Sequence, residues 1–301
     1  MTSHQPSDLT GRVAIVTGAG GGLGRAHALF LAQRGARVVV NDLSEEHAAR
    51  VAEEIIELGF DAMAVPASVT DFDAVTAMVE TVIERWGRVD ILVNNAGILR
   101  DKSFGKMSMD DFRLVVDVHL MGAANCTKAV WQIMRDQAWG RIVMTPSSSG
   151  LYGNFGQANY GAGKLGVVGM MNTLKIEGAK NDIKINAVCP VAATRMTEGL
   201  MPPEALEQLK PEYVTPGVMN LVKDDAPTGM ILSAGAGAFS MARIVETRGA
   251  YVGQGEELTA EAVAAKWDQI TDTSKTLPAF TSGGQHGQNM FSLVAEGKGQ
   301  G

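Results

Sequence analysis

Apolar and polar positions along the chain follow two alternating rhythms. Short, nearly unbroken runs rich in β-branched residues occur at Arg12–Val16, Arg37–Asp42, Ala62–Pro66, Asp90–Asn94, Arg141–Thr145, Lys184–Val188 and Gly229–Leu232. Runs this short and this continuously apolar predict strands buried on both faces. Between them, Gly24–Gly35, Glu45–Leu58, Phe72–Trp86, Asp110–Gln137 and Ala158–Lys180 carry the spacing of amphipathic helices. Strand and helix alternating in this way predict an α/β fold, a doubly wound, Rossmann-like parallel sheet with right-handed crossovers. In such sheets ligands bind beyond the carboxyl ends of the strands, so the strand ends are where chemistry is to be sought.

The rhythm holds over residues 8–240, read as one domain, and loosens over 241–301. The latter reads as a C-terminal extension, expected to pack on or near the substrate site or a partner subunit. Within it Leu258–Thr271 has the pattern of a helix with Thr259 as N-cap, and the Gly-rich last dozen residues are expected to fray. Ala192–Pro216, rich in Met and Pro, breaks the rhythm and reads equally as a lid over the site or as a long surface connection.

Composition narrows the function classes. The chain has 301 residues, 46% hydrophobic and 20% charged, enough for a sizeable core. Its formal net charge of −7, with no basic run, argues against nucleic acid as a partner and leaves small molecules. No apolar run approaches membrane-spanning length, the N-terminal MTSHQPSDLT lacks a signal-peptide core, and the chain ends Gly-Gln-Gly rather than in a peroxisomal tripeptide. A cytoplasmic protein is therefore expected. Cys126 and Cys189 stand far apart, with no His or Cys at metal-ligand spacing, and read as reduced core thiols, with no metal site.

Three local patterns carry chemistry. Directly after the first strand comes Thr17-Gly18-Ala19-Gly20-Gly21-Gly22-Leu23-Gly24, where glycines let the backbone approach a pyrophosphate and a helix N-terminus offers free N–H groups. Asp42 ends the next strand, placed to accept the adenosine ribose hydroxyls and to repel a 2′-phosphate, so NAD is expected rather than NADP. No basic residue stands at Gly21, Leu43 or Ser44; Arg25 is the nearby cation and can pair with an acid or a phosphate oxygen. Finally, Tyr160 and Lys164 lie one helical turn apart, thirteen residues after Ser147. Alone, such a pair is more often a surface device that shields apolar area. Beside a dinucleotide turn it becomes a candidate proton-transfer pair.

These segments resemble the short-chain dehydrogenase/reductase family in order and spacing: TGAGGGLG, then Asn94-Asn95-Ala96-Gly97, then Ser147 with Tyr160-Gly161-Ala162-Gly163-Lys164. NNAGILRDKSF, VHLMG, GLYGNFGQANYGAGKLG and LKPEYVTP extend the resemblance to a subgroup that acts on 3-hydroxyacyl-CoA thioesters, over about Gly11 to Asp272. The resemblance implies that Tyr160 is the general base, that Lys164 tunes it and holds the nicotinamide ribose, and that Ser147 bonds the substrate oxygen. Ser148 and Ser149 compete by composition, and spacing favours Ser147. It implies cofactor contacts from Gly18, Gly22, Leu23, Gly24, Asp42, Asn95, Ala96, Gly97, Tyr160, Lys164, Ala192 and Thr194. Ser68 and Val69 join them where relatives carry Asp-Val against the adenine.

A phenol of pKa near 10 must fall by about 3 pH units to act at neutrality, worth roughly 4 kcal/mol, and burial works against it, so a cation has to win. His119 stands where most of the family has a relay Asn, and is either a relay residue or a satisfied structural histidine; Asn125 lies roughly 240° further round a helix and cannot substitute. Pro190-Val191 replaces the usual Pro-Gly. The implied activity is oxidation of a 3-hydroxyacyl-CoA, fatty or steroid-derived. A 17β-hydroxysteroid is the competing substrate, and a silent nucleotide-sensing or scaffold module is the alternative of another class. The family resemblance also implies a homodimer or homotetramer through the long helices, to which Trp131, Met134, Met170 and Met171 are candidate contributors.

Overall fold

The computed structural model describes residues 8–192 and 207–298. Eight strands form one sheet in the order β3-β2-β1-β4-β5-β6-β7-β8: β1 Val13–Val16, β2 Arg37–Asp42, β3 Ala62–Pro66, β4 Ile91–Asn94, β5 Gly140–Met144, β6 Ile183–Val191, β7 Ile231–Gly235 and β8 Ala238–Ala242. The pairs from β3 through to β7 are parallel. Strand β1 sits between β2 and β4, so the winding reverses there and opens a crevice at the strand ends. The short apolar runs are the strands expected: every residue of β1 and β4 is buried.

The helices that flank this sheet start and stop on local chemistry. Helix α1 is Gly22–Gln33 and α2 is Glu45–Glu57, the latter N-capped by the Ser44 hydroxyl, which accepts from the His47 amide. Helix α3, Phe72–Trp86, is capped by the Asp71 carboxylate and stopped by Gly87 at φ 74°. Helix α7, Ala158–Glu177, is the longest, and it follows a short α6 at Ser148–Tyr152 that the pattern did not foretell.

The helix expected over Asp110–Gln137 is interrupted. It divides into α4, Met109–Val116, a π-helical turn at Asp117–Met121, and α5, Gly122–Asp136. At Gly122 a Cβ would lie 2.6 Å from a Val69 methyl, so only glycine lets the chain pass there. Met134 and Met171, weighed as subunit contacts, are fully buried and belong to the core.

Further on, α8 at Thr215–Val222 begins inside the segment read as a lid or connection; residues 193–206 of that segment, Thr194 among them, lie outside the described residues. Strand β7 starts two residues later than expected and turns through Ala236 and Gly237, both at positive φ, into β8. A two-residue connection of this kind makes a hairpin.

Two compact units divide at Met241 and Ala242. The second contains α9 Ala260–Ala265, α10 Trp267–Ile270 and α11 Gly283–Lys298. Thr259 caps α9 by accepting from the Ala262 amide, as its place in the pattern suggested. The fraying expected of the last dozen residues does not extend to α11, which is helical to Lys298; Gly297 fits against the Tyr251 ring, where any Cβ would collide.

Candidate active site

A cleft of about 560 Å³ opens along the carboxyl ends of the central strands. Gly18, Gly22, Leu23, Gly24, Asp42, Asn95, Ala96, Gly97, His119, Ser147, Tyr160, Lys164 and Ala192 all line it, residues that stand up to 174 positions apart in the chain (192 − 18). Ser68 and Val69 do not join them. The Ser68 hydroxyl pairs with that of Thr70 at 2.8 Å, and Val69 is buried beneath α5 with its carbonyl held by Asn125 Nδ2 at 2.9 Å.

The glycine turn is shaped for a group that needs close backbone approach. Gly18 has φ 61°, and a Cβ on it would lie 2.8 Å from Ala96 Cα; one on Gly24 would collide with the Gly18 carbonyl. Asn95 braces the turn, donating from Nδ2 to the carbonyls of Thr17 at 2.9 Å and Gly18 at 3.1 Å. Thr17 Oγ1 in turn accepts the amides of Asn95 and Ala96. Helix α1 begins at Gly22 with no side chain capping its N–H groups and no acid in its first turn, which leaves those donors for an anion.

At the far end of the turn Asp42 Oδ2 accepts the Gly20 amide at 3.0 Å, and Oδ1 accepts that of Ser44 at 3.0 Å. These two bonds aim the carboxylate along the cleft and leave lone pairs on both oxygens. A Cβ on Gly20 would lie 2.8 Å from that carboxylate, so the approach requires glycine. Arg25 is occupied by a bidentate pair with Glu54. The residues present therefore fit a dinucleotide: an open helix N-terminus for the pyrophosphate and a carboxylate beyond it for the ribose.

At the other end Ser147, Tyr160 and Lys164 meet. Ser147 is the N-cap of α6, its hydroxyl accepting the Ser149 amide at 3.2 Å, which fixes the residue at the strand end. Lys164 is buried, donates from Nζ to the Thr145 carbonyl at 2.6 Å and lies 5.5 Å from the centre of the Tyr160 ring. Burial lowers its pKa to about 7, so near neutrality the charge is only partly held. Burial also raises the Tyr160 pKa, against the pull of the Ser147 hydroxyl bonded to it. In the protein alone burial is thus the dominant influence on the phenol.

His119 comes to this site through the π-helical turn. Gly163 on α7 would, with a Cβ, press on His119 Cβ at 3.2 Å, and a Cβ on Gly97 would strike the imidazole itself. The ring meets the main chain of Ile98 through Nε2, 3.1 Å from its amide and 2.8 Å from its carbonyl. Burial, with the Lys164 charge adding to it, drives the His119 pKa down to about 3, so the imidazole is neutral. Its Nδ1, Asn94 Oδ1 and Thr145 Oγ1 have no partner among the described residues. All three residues, with Lys164, line a second cavity of about 10 Å³, near the lower limit for one water.

Several further cleft residues were not singled out by the local pattern. Asp101 and Gln157 face each other, Nε2 donating to Oδ2 at 2.7 Å, but 56 residues separate them and neither carries a signal of its own. His47, Leu99, Asn154 and Leu209 are likewise brought in by the fold.

A doubly wound sheet with a dinucleotide cleft and a Ser-Tyr-Lys constellation at the strand ends defines a nicotinamide-dependent oxidoreductase acting on a secondary alcohol. A family profile described as short chain dehydrogenase matches residues 12–205. The chain belongs to that family. It is 48% identical over 269 residues to peroxisomal multifunctional enzyme A of Dictyostelium discoideum, covering 86% of this chain and 60% of that protein. The structure of full-length peroxisomal multifunctional enzyme type 2 from Drosophila melanogaster superposes with a TM-score of 0.83 at 38% identity, covering 96% of this chain and 50% of that one. A 7α-hydroxysteroid dehydrogenase complexed with NADH and 7-oxo glycochenodeoxycholic acid gives a TM-score of 0.73 at 27% identity, covering 79% and 98%. The chain spans 38 to 60% of the length of the multifunctional relatives in slime mould, mouse and fly. Among the described residues no helix is long and apolar enough to cross a membrane, and no group of His, Cys, Asp and Glu is arranged to hold a metal.

Proposed function

We propose that the protein oxidises a 3-hydroxyacyl-CoA to the 3-oxoacyl-CoA with NAD. The observation that carries the chemistry is the convergence of Ser147, Tyr160 and Lys164 in one cleft with the glycine turn. Ser147 bonds the substrate hydroxyl and stabilises the charge that develops on its oxygen. Tyr160 takes the hydroxyl proton. Lys164 steadies the phenolate and holds the nicotinamide ribose. A bound nicotinamide would supply the hydride acceptor, and its positive charge when oxidised would favour the phenolate against the upward push of burial on Tyr160. NAD is favoured over NADP by the aimed carboxylate of Asp42 and by the engagement of Arg25 with Glu54.

His119 is assigned to the relay. Its ring stays neutral and is anchored through Nε2 to the Ile98 main chain, which leaves the unpartnered Nδ1 on the cavity shared with Lys164 to hold a relay water by one hydrogen bond. Half-exposed Leu114, Met121 and Leu165 on α4, the π-helical turn and α7 support a homo-oligomer joined through those helices. Cys126 and Cys189, both free and buried, are compatible with a reducing compartment such as the cytoplasm.

The acyl-CoA assignment draws on the multifunctional relatives, and the steroid complex of the 7α-hydroxysteroid dehydrogenase supports a free hydroxysteroid as the second reading. Turnover of 3-hydroxyacyl-CoA thioesters and of 17β-hydroxysteroids, measured as NADH formed under equal NAD, separates them. A preference for the steroid by about tenfold or more, equal to 1.4 kcal/mol in transition-state binding, overturns the first reading.

A further inference from the structure

One lip of the cleft is formed by residues 99–102, just beyond β4. Three hydrogen bonds tie it to the segment leading into α7: Asn159 Nδ2 to the Arg100 carbonyl at 3.1 Å, Gln157 Nε2 to Asp101 Oδ2 at 2.7 Å, and the Lys102 amide to the Gly156 carbonyl at 2.9 Å. Gln157 immediately precedes α7 and stands about one helical turn before Tyr160. Asp101 is thereby pinned beside the turn that carries the phenol, and Asp101, Gln157 and Tyr160 all line the cleft.

The ionic surroundings of Asp101 are one-sided. Its partner among the described residues, Gln157, is a neutral amide. Its cationic neighbours in sequence turn elsewhere: Arg100 and Lys102 approach Asp111 on α4, at 3.9 and 3.6 Å, and neither lines the cleft. Histidines aside, the charged side chains among the described lining residues are Asp42 at the glycine-turn end, Asp101 near Tyr160, and Lys164, whose charge is only partly held near neutrality. The phenol feels this carboxylate: burial is the main cause that lifts the Tyr160 pKa, and the Asp101 charge adds to the lift.

A carboxylate held there discriminates by charge. Lys164, and an oxidised nicotinamide when bound, would draw an anion toward the reacting carbon; Asp101 opposes that pull. A substrate with a free carboxylate close to its hydroxyl meets like charge in the cleft, whereas a thioester or ester of the same skeleton carries none.

We propose that Asp101 is a charge filter that sets the substrate class, admitting secondary alcohols that are neutral around the hydroxyl and turning away free 3-hydroxy acids. The filter rests on the reading of Tyr160 as the base, and it narrows the proposed reaction to esterified 3-hydroxyacyl groups. Gln157 keeps the carboxylate in place before substrate arrives.

3-Hydroxybutanoate and its methyl ester differ by one charge and one methyl group, so the ratio of their kcat/KM values, measured as NADH formed, reads the filter. Asp101→Asn removes the charge but keeps the shape and an acceptor for Gln157. The ester-over-acid ratio is expected to fall about tenfold in this variant, with turnover of the ester within about threefold of wild type, and to stay near the wild-type ratio in Asp101→Glu. In wild type the ratio is expected to fall as salt is raised, because Asp101 is exposed. A ratio unmoved in the Asn variant, an equal change for both substrates, or a ratio indifferent to salt overturns the filter. Calorimetric titration with 3-oxobutanoate in the presence of NAD, where no hydride can pass to the ketone, tests the filter without turnover. Asp101→Asn is expected to bind it about tenfold more tightly than wild type; equal affinity, or no binding by either protein, overturns the filter. Wild type that oxidises neither alcohol removes the proposed reaction, while the titration still decides the filter.

Discussion

The imidazole of His119 stands edge-on to the phenol of Tyr160, with ring centres 4.9 Å apart and planes at 88°. Two features of the chain make this contact. The π-helical turn at Asp117–Met121 rolls His119 inward, and glycines at 97 and 163 leave the room its ring and Cβ need. Tyr160 is thereby packed on one side by a neutral ring and reached on the other by Ser147 and Lys164.

Replacing His119 distinguishes packing from proton passage. His119→Phe keeps an edge-on ring and removes both nitrogens; kcat is expected to fall by about a hundredfold, the low end of what a positioned proton donor or acceptor contributes. His119→Asn, which restores a donor and an acceptor, is expected to recover part of that loss. Steady-state kcat against pH checks this, and a Phe variant as fast as wild type leaves His119 a packing residue only.

Asp42 sets the cofactor preference. In Asp42→Ala the two amides of Gly20 and Ser44 lose their acceptor and the ribose loses its own, so the NAD-to-NADP ratio of kcat/KM is expected to drop by about tenfold, equal to 1.4 kcal/mol. The measurement is initial rate with each dinucleotide at a fixed alcohol concentration. An unmoved ratio assigns selectivity to another residue.

Much of this arrangement was legible in the sequence. Strand β3 and helix α3 carry the bounds that hydrophobic pattern alone assigned, because Ala62–Pro66 and Phe72–Trp86 end at Pro, Asp71 and Gly87. The π-helical turn was not legible, since one inserted residue hardly alters an apolar spacing read over many turns. The place of Val69 was no more legible: it is drawn under α5 by Asn125 and Gly122, contacts that no local spacing encodes. Nor could charge patterning foretell Arg141, which lies fully buried within β5. It donates to carbonyls of Gly140, Asp182, Lys223 and Asp224 and stacks over Trp139 at 4.1 Å. The depth of the pair was not legible either, because sequence places Lys164 beside Tyr160 but does not say how dry their site is.

Acid stability follows from a histidine outside the site. His27 on α1 is fully buried, neither ring nitrogen has a partner among the described residues, and burial lowers its pKa to about 4. The unfolded chain, with an ordinary histidine, takes up a proton first, so the stabilising difference is whole above about pH 6.5 and is lost as pH falls toward 4. Chemical denaturation at a series of pH values is expected to give a loss of about 3 kcal/mol from this residue over that window, since each pH unit is worth about 1.4 kcal/mol. His27→Leu is expected to flatten that part of the profile; an unaltered slope rules out His27 as its source.

Tyr160 is the most direct test of the chemistry. NADH formation from a 3-hydroxyacyl-CoA is measured for wild type and for Tyr160→Phe, with the thermal midpoint confirming that the variant is folded. Loss of the proton acceptor is expected to lower kcat by about a thousandfold, within the usual range for a general base. Activity in the Phe variant equal to that of wild type contradicts the assignment of Tyr160 as the base, and with it the proposed mechanism.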